Sequence, residues 1–224
     1  SSVAYVYSFL PTDFGRVSDA MMESATDNSV YTWENNSIYY ITNGIWSPLK
    51  RVDDGWSFWN GVRSANLFLE DFDPKVLERF QYNEDYDEMI DKASKFSLEV
   101  RFLRAFYLFE LAKRYGDIPL ITRTYTQEEI NSVRKTSFAD VIDFIAKECT
   151  EITREGGLPE DGVRGETGRV TKGAALALKS RALLYAASEL HNPGHDLTKW
   201  EAAAKAAYEV IKMNKYQLPK VSTD

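Results

Sequence analysis

Cysteine and histidine are scarce in this 224-residue chain, which has one cysteine and two histidines. A single cysteine excludes an intrachain disulfide. Cys149 falls within an apolar helical period, so we predict that it is a small buried hydrophobe. His191 and His195 lie four residues apart, but Pro193 and Gly194 between them break the helix that a zinc-binding pair needs. The sequence therefore predicts no metal site, and we expect no cofactor.

A basic excess and a long apolar run are also missing. Lys and Arg total 27 against 34 Asp and Glu, which gives a formal net charge of −7. A nucleic-acid partner is not expected, because neutralising phosphates requires a basic patch. No apolar run approaches the roughly 20 residues of a membrane-spanning helix.

Motifs of covalent catalysis are missing as well. The sequence contains neither a Gly-x-Ser-x-Gly nucleophile elbow nor a phosphate-binding Walker loop. Acidic pairs are too common in so acidic a chain to identify the two carboxylates of a glycosidase. We therefore predict a protein that is not an enzyme.

Apolar residues recur at helical spacing through most of the chain. The Trp56 helix has one buried face, and the last helix begins at Thr198 in a capping box with Glu201 and turns Trp200 and Ile211 inward. A glycine-rich linker joins the fourth and fifth of the main helices. The predicted helices cover residues 2–10, 56–69, 93–115, 136–153, 172–188 and 198–213.

The helix over residues 93–115 carries the widest apolar stripe, which predicts contacts on two sides. Gly116 and Pro119 mark its end, since glycine can take a positive φ and proline disfavours renewed helix. Arg101, Arg104 and Glu110 lie on this helix among aromatic residues. We expect them to form partly buried ion pairs.

The last two helices alternate small residues with large aromatics one turn apart. Small residues allow close approach of helices, as in stacked tetratricopeptide-type (TPR) hairpins, although no regular 34-residue repeat is present. We predict an all-α fold of TPR-like stacked helical hairpins with long loops. Residues 1–224 are expected to form a single domain.

Several blocks of sequence, in order, resemble the SusD/RagB family. The central block reads EVRFLRAFYLFEL at residues 99–111 and RYGDIPL at 114–120. It is preceded by Trp59, Val62, Ala65, Asn66 and Leu69, and followed by RVTKGAALALKSR at 169–181. Residues 200–218 are similar to the helix and exit that come next in the family. The resemblance therefore spans about residues 56–218.

The resemblance implies a SusD-like lipoprotein on the outer surface of a Gram-negative outer membrane. Such a protein binds an oligosaccharide or another nutrient and covers a SusC-like, TonB-dependent transporter. By this resemblance, the chain is the amino-terminal part of a longer protein, without its lipid-bearing cysteine and without the carboxy-terminal region that completes the ligand site.

The segment between residues 12 and 47 has no apolar period and mixes aromatic with polar residues. Flat aromatic faces suit the C–H faces of sugars, and amide or carboxylate groups suit the hydroxyls. The alternative is that Trp33 and Trp46 fill the core beneath a long loop. The candidate ligand-binding residues are Asp27, Asn28, Trp33, Asn35, Asn36, Asn43 and Trp46.

Two other functions remain open from the sequence. One is a TPR-type protein–protein interaction module without a sugar site, which would hold a peptide in a groove lined by polar side chains. The other is a glycan-cleaving enzyme, which needs two carboxylates roughly 5–9.5 Å apart across a cleft. An exposed cluster of aromatic side chains flanked by Asn or Asp favours glycan binding.

Overall fold

The computed structural model describes residues 2–11, 17–162 and 167–218. Its main helices are α1 (Ser2–Tyr7), α2 (Tyr39–Thr42), α3 (Phe58–Asp71), α4 (Tyr86–Tyr115), α5 (Gln127–Ile130), α6 (Phe138–Ile152), α7 (Lys172–Ala187) and α8 (Leu197–Lys212). Short 3₁₀ turns lie at Met22–Ala25, Pro74–Phe80 and Glu189–His191. Only isolated β-bridges occur among the described residues, which confirms the all-α prediction.

The long helices stack in chain order. α3 packs on α4, α4 on α6, α6 on α7 and α7 on α8, while α1 covers α3 and α4. Nearest-neighbour packing of this kind is the arrangement of helical-repeat proteins. The predicted TPR-like hairpins are therefore present, and α4 has neighbours on two sides as its wide stripe indicated.

The main core lies among α1, α3, α4, α6 and α7. Cys149 is fully buried in it, as predicted, and burial raises the pKa of its thiol to about 12. Tyr107 of α4 is also fully buried, stacks on Phe58 and donates a 2.6 Å hydrogen bond to the Val6 carbonyl of α1. Its ring lies against Gly61, where no side chain would fit.

Helix ends follow the predicted chemistry at two of the three positions for which it was predicted. Thr171 caps α7 by accepting a 3.3 Å hydrogen bond from the Ala174 amide, and Gly116 ends α4 at φ +70°. Ser137 caps α6, close to the predicted start. The capping box at Thr198 was wrong: Asp196 is the cap of α8 and accepts a 2.9 Å hydrogen bond from the Thr198 amide.

Other helix predictions need correction as well. α4 begins at Tyr86 rather than at residue 93, because Tyr86, Met89 and Ile90 extend the helical spacing of Ala93 by two turns, which the prediction did not include. Trp56 precedes α3 and is 59% exposed, not buried. Trp200 and Ile211 of α8 are 46% and 69% exposed, because α8 packs on α7 through its small residues Ala203 and Ala206.

The linker predicted over residues 154–169 lies partly outside the described residues. Its described beginning is a turn, in which Gly156 takes φ +72° and the Leu158 amide donates a 2.8 Å hydrogen bond to the Ile152 carbonyl.

Candidate functional site

The segment from Val17 to Val52 has a small core of its own, separate from the main one. Val17, Ala20, Ile38 and Val52 are buried there. Partly buried side chains pack around them, namely Met22, Ala25, Tyr31, Tyr39, Tyr40 and Ile41. The Tyr39 hydroxyl donates to the Tyr31 carbonyl and so ties α2 to the chain before it. This irregular stretch is thus an ordered unit with an inside and an outside.

Trp33 and Trp46 lie on the outside of this unit. They are 74% and 61% exposed, so the alternative that they fill the core is wrong for both. Trp33 makes an edge-to-face contact with Tyr31, at a centroid distance of 6.2 Å and an interplanar angle of 67°. Among the described ring pairs, Trp33 is joined to Tyr31 and not to Trp46. The two indoles are available as platforms, each at its own position.

Two of the predicted asparagines are engaged within the segment. The Asn36 side chain donates to the Ser18 carbonyl, and its Oδ1 accepts a 2.9 Å hydrogen bond from the Ile38 amide. Asn28 Nδ2 donates a 2.6 Å hydrogen bond to Glu23 Oε1. These contacts fold the loop, so Asn28 and Asn36 hold the surface in shape.

Asp27, Asn35 and Asn43 are exposed. Asn35, two residues after Trp33, takes φ +64°, a conformation that asparagine tolerates better than most residues. Asn43 ends α2, and its amide donates a 2.9 Å hydrogen bond to the Tyr39 carbonyl. Of the predicted asparagines that are exposed, Asn35 and Asn43 thus lie within three positions of Trp33 and Trp46 in the sequence.

The end of the loop is fixed to the end of α4. Arg114 donates to the Asp53 carbonyl at 2.9 Å, to Asp53 Oδ2 at 2.6 Å and to Glu110 Oε2 at 2.7 Å. The Tyr115 hydroxyl donates a 2.7 Å hydrogen bond to the Asp54 carbonyl. Glu110 also pairs with Lys113 at 2.8 Å, so the predicted ion pair of Glu110 is present. These charge-assisted contacts anchor the loop to the helical scaffold.

A buried polar network lies deeper in the scaffold. Arg101 and Arg104 of α4 both pair with Glu148 of α6, at 2.7 and 3.1 Å. Arg104 also donates at 2.9 Å to Asn66 Oδ1 and to the Thr122 carbonyl. Burial opposes the ionisation of Glu148, but the two guanidinium groups outweigh it and lower its pKa. Burial also lowers the pKa of Arg104, and the pairing of Arg104 with Glu148 opposes this shift. The predicted ion pairs of Arg101 and Arg104 are confirmed, with a partner that their own helix does not contain.

A groove of about 870 Å³ beside α3 is a feature that the sequence did not predict. Trp56 and Tyr115 stand at its wall with exposed rings, in edge-to-face contact at 5.8 Å. The sequence signal that could have indicated this groove is the pair Trp56 and Trp59, three residues apart. The helical period led us to assign both rings to one buried face instead. The groove is lined by Trp56, Trp59, Val62, Arg63, Leu67, Tyr115, Asp117, Ile118, Pro119, Ile121, Arg123, Thr124, Tyr125, Thr126, Gln127, Ile130, Val133 and Lys135.

Within residues 2–11, 17–162 and 167–218, no three His, Cys, Asp or Glu side chains gather closely enough to bind a metal ion. His191 stacks on Phe138 at a centroid distance of 3.6 Å, and burial followed by the charge of Lys199 lowers its pKa. In the same part of the chain, no helix has the length and apolarity needed to cross a membrane.

The fold and surface define a helical-hairpin scaffold that presents exposed aromatic side chains on a long ordered loop. A model of the SusD-like family, described as starch-binding and associating with the outer membrane, matches residues 7–184. The chain belongs to this family. No curated protein matches the chain.

Solved structures agree with this family. A SusD-like protein from Bacteroides fragilis is 28% identical with a TM-score of 0.64, and it matches 96% of this chain over 37% of its own. A SusD-like carbohydrate-binding protein from the same species is 25% identical with a TM-score of 0.65, matching 95% of this chain over 39% of its own. A laminarin-binding SusD-like protein shares the fold, with a TM-score of 0.68 at 24% identity, over 93% of this chain and 42% of its own. The chain thus spans about two fifths of the length of these relatives.

Proposed function

We propose that this chain is the scaffold and part of the ligand surface of a glycan-capturing protein at the cell surface. The observation that carries the proposal is the exposure of Trp33 and Trp46 on an ordered loop of a SusD-like fold. Exposed indoles offer broad contact with the C–H faces of sugar rings at small entropic cost, because they have few rotatable bonds. Binding would be reversible and would involve no covalent step.

The site we propose combines these rings with nearby polar groups. Asn35 and Asn43 are exposed and can hydrogen-bond to sugar hydroxyls, and Asp27 adds an exposed carboxylate. Asn28 and Asn36 contribute mainly by holding the loop in shape, through their contacts with Glu23 and Ser18. All seven residues stay in the proposed site. Trp33, Trp46, Asn35, Asn43 and Asp27 contact the ligand, and Asn28 and Asn36 hold the loop in shape.

Titration calorimetry tests the proposal, with starch-derived and laminarin-derived oligosaccharides as probes. Trp33→Ala and Trp46→Ala should each lose about 1 kcal/mol of binding free energy, or about fivefold in Kd. Trp200→Ala is the matched control, because Trp200 is exposed on α8. Equal affinities in all three variants and the parent would refute the site while leaving the family assignment intact.

We further propose delivery of the captured glycan to a SusC-like TonB-dependent transporter, from a position on the outer membrane set by a lipid anchor. The family description, which associates its members with the outer membrane, supports this. Co-purification of the full-length protein with a coexpressed SusC-like barrel is the test. A protein released to the soluble fraction, with no barrel retained, would contradict it.

A further inference from the structure

One wall of the groove beside α3 is formed by residues 121–124, which side chains of α3 and α4 hold in place. Asn66 Nδ2 donates to the carbonyls of Ile121 and Arg123 at 3.2 and 3.0 Å. Glu70 accepts a 2.7 Å hydrogen bond from the Thr124 amide. With Arg104 bound to the intervening Thr122 carbonyl, this extended wall is fixed by side chains of α3 and α4. Its backbone is engaged, so an occupant would be recognised mainly by lining side chains.

The interior of the groove is mostly apolar. Ile121 and Val133 are partly exposed along it, and Leu67 and Ile130 of the lining are 40% and 44% exposed. Tyr115 is also 40% exposed, with its hydroxyl held by Asp54. Apolar side chains that enter such a groove leave water, which supplies most of the driving force for association. The volume of about 870 Å³ is in the range of ligand-binding clefts.

The charge of the groove is opposite to that of the chain. Arg63, Arg123 and Lys135 line it with Asp117 as the single acid, although the chain as a whole carries −7. Arg123 forms a 2.8 Å ion pair with Glu129, so the net positive charge of the groove comes from Arg63 and Lys135. Such a rim attracts an occupant that carries carboxylates.

Five polar side chains of the lining are already hydrogen-bonded within the protein, namely Tyr115, Asp117, Arg123, Thr124 and Thr126. Thr124 donates to Glu70, Thr126 accepts from the Glu129 amide and Asp117 accepts from the Phe138 amide. A sugar needs several donors and acceptors for its hydroxyls, whereas the groups left for it are two cations, Arg63 and Lys135, the side chains of Tyr125 and Gln127, and the indole N–H groups. The lining therefore favours an occupant with apolar side chains over a carbohydrate.

We propose that this groove is a docking site for a peptide segment of a partner protein, with apolar side chains flanked by Asp or Glu. The segment enters the groove with its apolar side chains, and its carboxylates meet Arg63 and Lys135. The site is distinct from the Trp33 and Trp46 surface, and its existence does not depend on glycan binding there.

Selection from a random linear peptide library against the parent protein tests the proposal. Counter-selection uses Leu67→Glu, which puts a charge at the apolar edge, and Leu190→Glu is the matched control because Leu190 is exposed outside the lining. Peptides that bind the parent and Leu190→Glu but not Leu67→Glu should combine apolar with acidic residues. Circular dichroism identifies any variant that fails to fold.

Charge exchange provides the second measurement. For a selected peptide, Arg63→Glu combined with Lys135→Glu should raise Kd at least about tenfold, and a lysine-for-acid version of the peptide should regain affinity for that variant. Arg134→Glu is the control, because Arg134 is exposed next to Lys135 but does not line the groove. Selected peptides without acidic residues, no Leu67-dependent binder, or groove-dependent binding of an oligosaccharide instead would each overturn the proposal.

Discussion

Replacing Arg104 with methionine isolates the buried network that joins four parts of the fold. Arg104 contacts Glu148 on α6, Asn66 on α3 and the Thr122 carbonyl in the groove wall. Methionine fills similar space without a donor. The substitution therefore leaves two neutral acceptors and part of a carboxylate without their partner.

The magnitude follows from what each group keeps. Breaking a buried ion pair costs about 3–5 kcal/mol when the remaining charge has no other partner. Glu148 keeps Arg101, which donates to both of its oxygens at 2.7 and 3.1 Å, so the cost lies toward the lower end. Arg104 Nε is buried without a hydrogen-bond partner among the described residues, and its removal offsets part of the loss. We expect Arg104→Met to lower the free energy of unfolding by about 3 kcal/mol.

Urea unfolding followed by far-ultraviolet circular dichroism measures this change. Arg101→Met is the matched control: Arg101 is the more exposed partner and contacts Glu148 alone in this network, so about 1–2 kcal/mol is expected. The double variant strands Glu148 and should lose more than the sum of the two single changes. Amide hydrogen exchange should also quicken around Thr122, whose carbonyl loses its donor. Equal costs for the two single variants, or strict additivity, would refute the reasoning.

Three further predictions concern the core. The pKa of Glu148 is lowered in the folded protein, so ionised Glu148 stabilises the fold at pH values above 4.5, the ordinary pKa of a glutamate. This stabilisation is lost as the pH falls through the pKa of the folded protein. The urea midpoint of Glu148→Gln should therefore depend less on pH below 4.5 than that of the parent. Cys149, with a pKa of about 12, should resist a thiol reagent at pH 8 until urea unfolds the chain, and rapid labelling of the native protein would contradict its burial. Gly61→Ala places a methyl group 2.6 Å from the Tyr107 ring and should cost about 1–3 kcal/mol, whereas Gly162→Ala, at an open position, should leave the urea midpoint nearly unchanged.

The exposed aromatic surfaces have different structural origins. Trp33 and Trp46 stand on a loop whose own small core, around Ile38, holds it in shape. Trp56 and Tyr115 stand where that loop is fastened to α4. The two surfaces are thus fixed by separate contacts, which permits one to be altered without the other.

Local sequence determined much of this protein because helix formation and capping depend on residues close together in the chain. The apolar period of α4, the positive φ of Gly116, the Thr171 cap and the burial of Cys149 all follow from such short-range patterns. The same patterns, together with the central block at residues 99–120, were sufficient to indicate the family. The start of α8 shows the limit, since Asp196 and Thr198 are both competent caps and only one is used.

Tertiary structure alone decided which side chains remain exposed and which distant residues meet. Arg104 meets Glu148 across 44 positions of sequence, and no periodicity along either helix contains that pairing. Trp33 is exposed because nearby tyrosines and Ile38 fill the loop core first, and Trp56 is exposed because α3 begins two residues later. One wall of the groove is in place only because Asn66 and Glu70 of α3 and Arg104 of α4 hydrogen-bond to the segment over residues 121–124. Exposure and long-range pairing depend on the relative positions of packed elements, which the local properties of the chain do not specify.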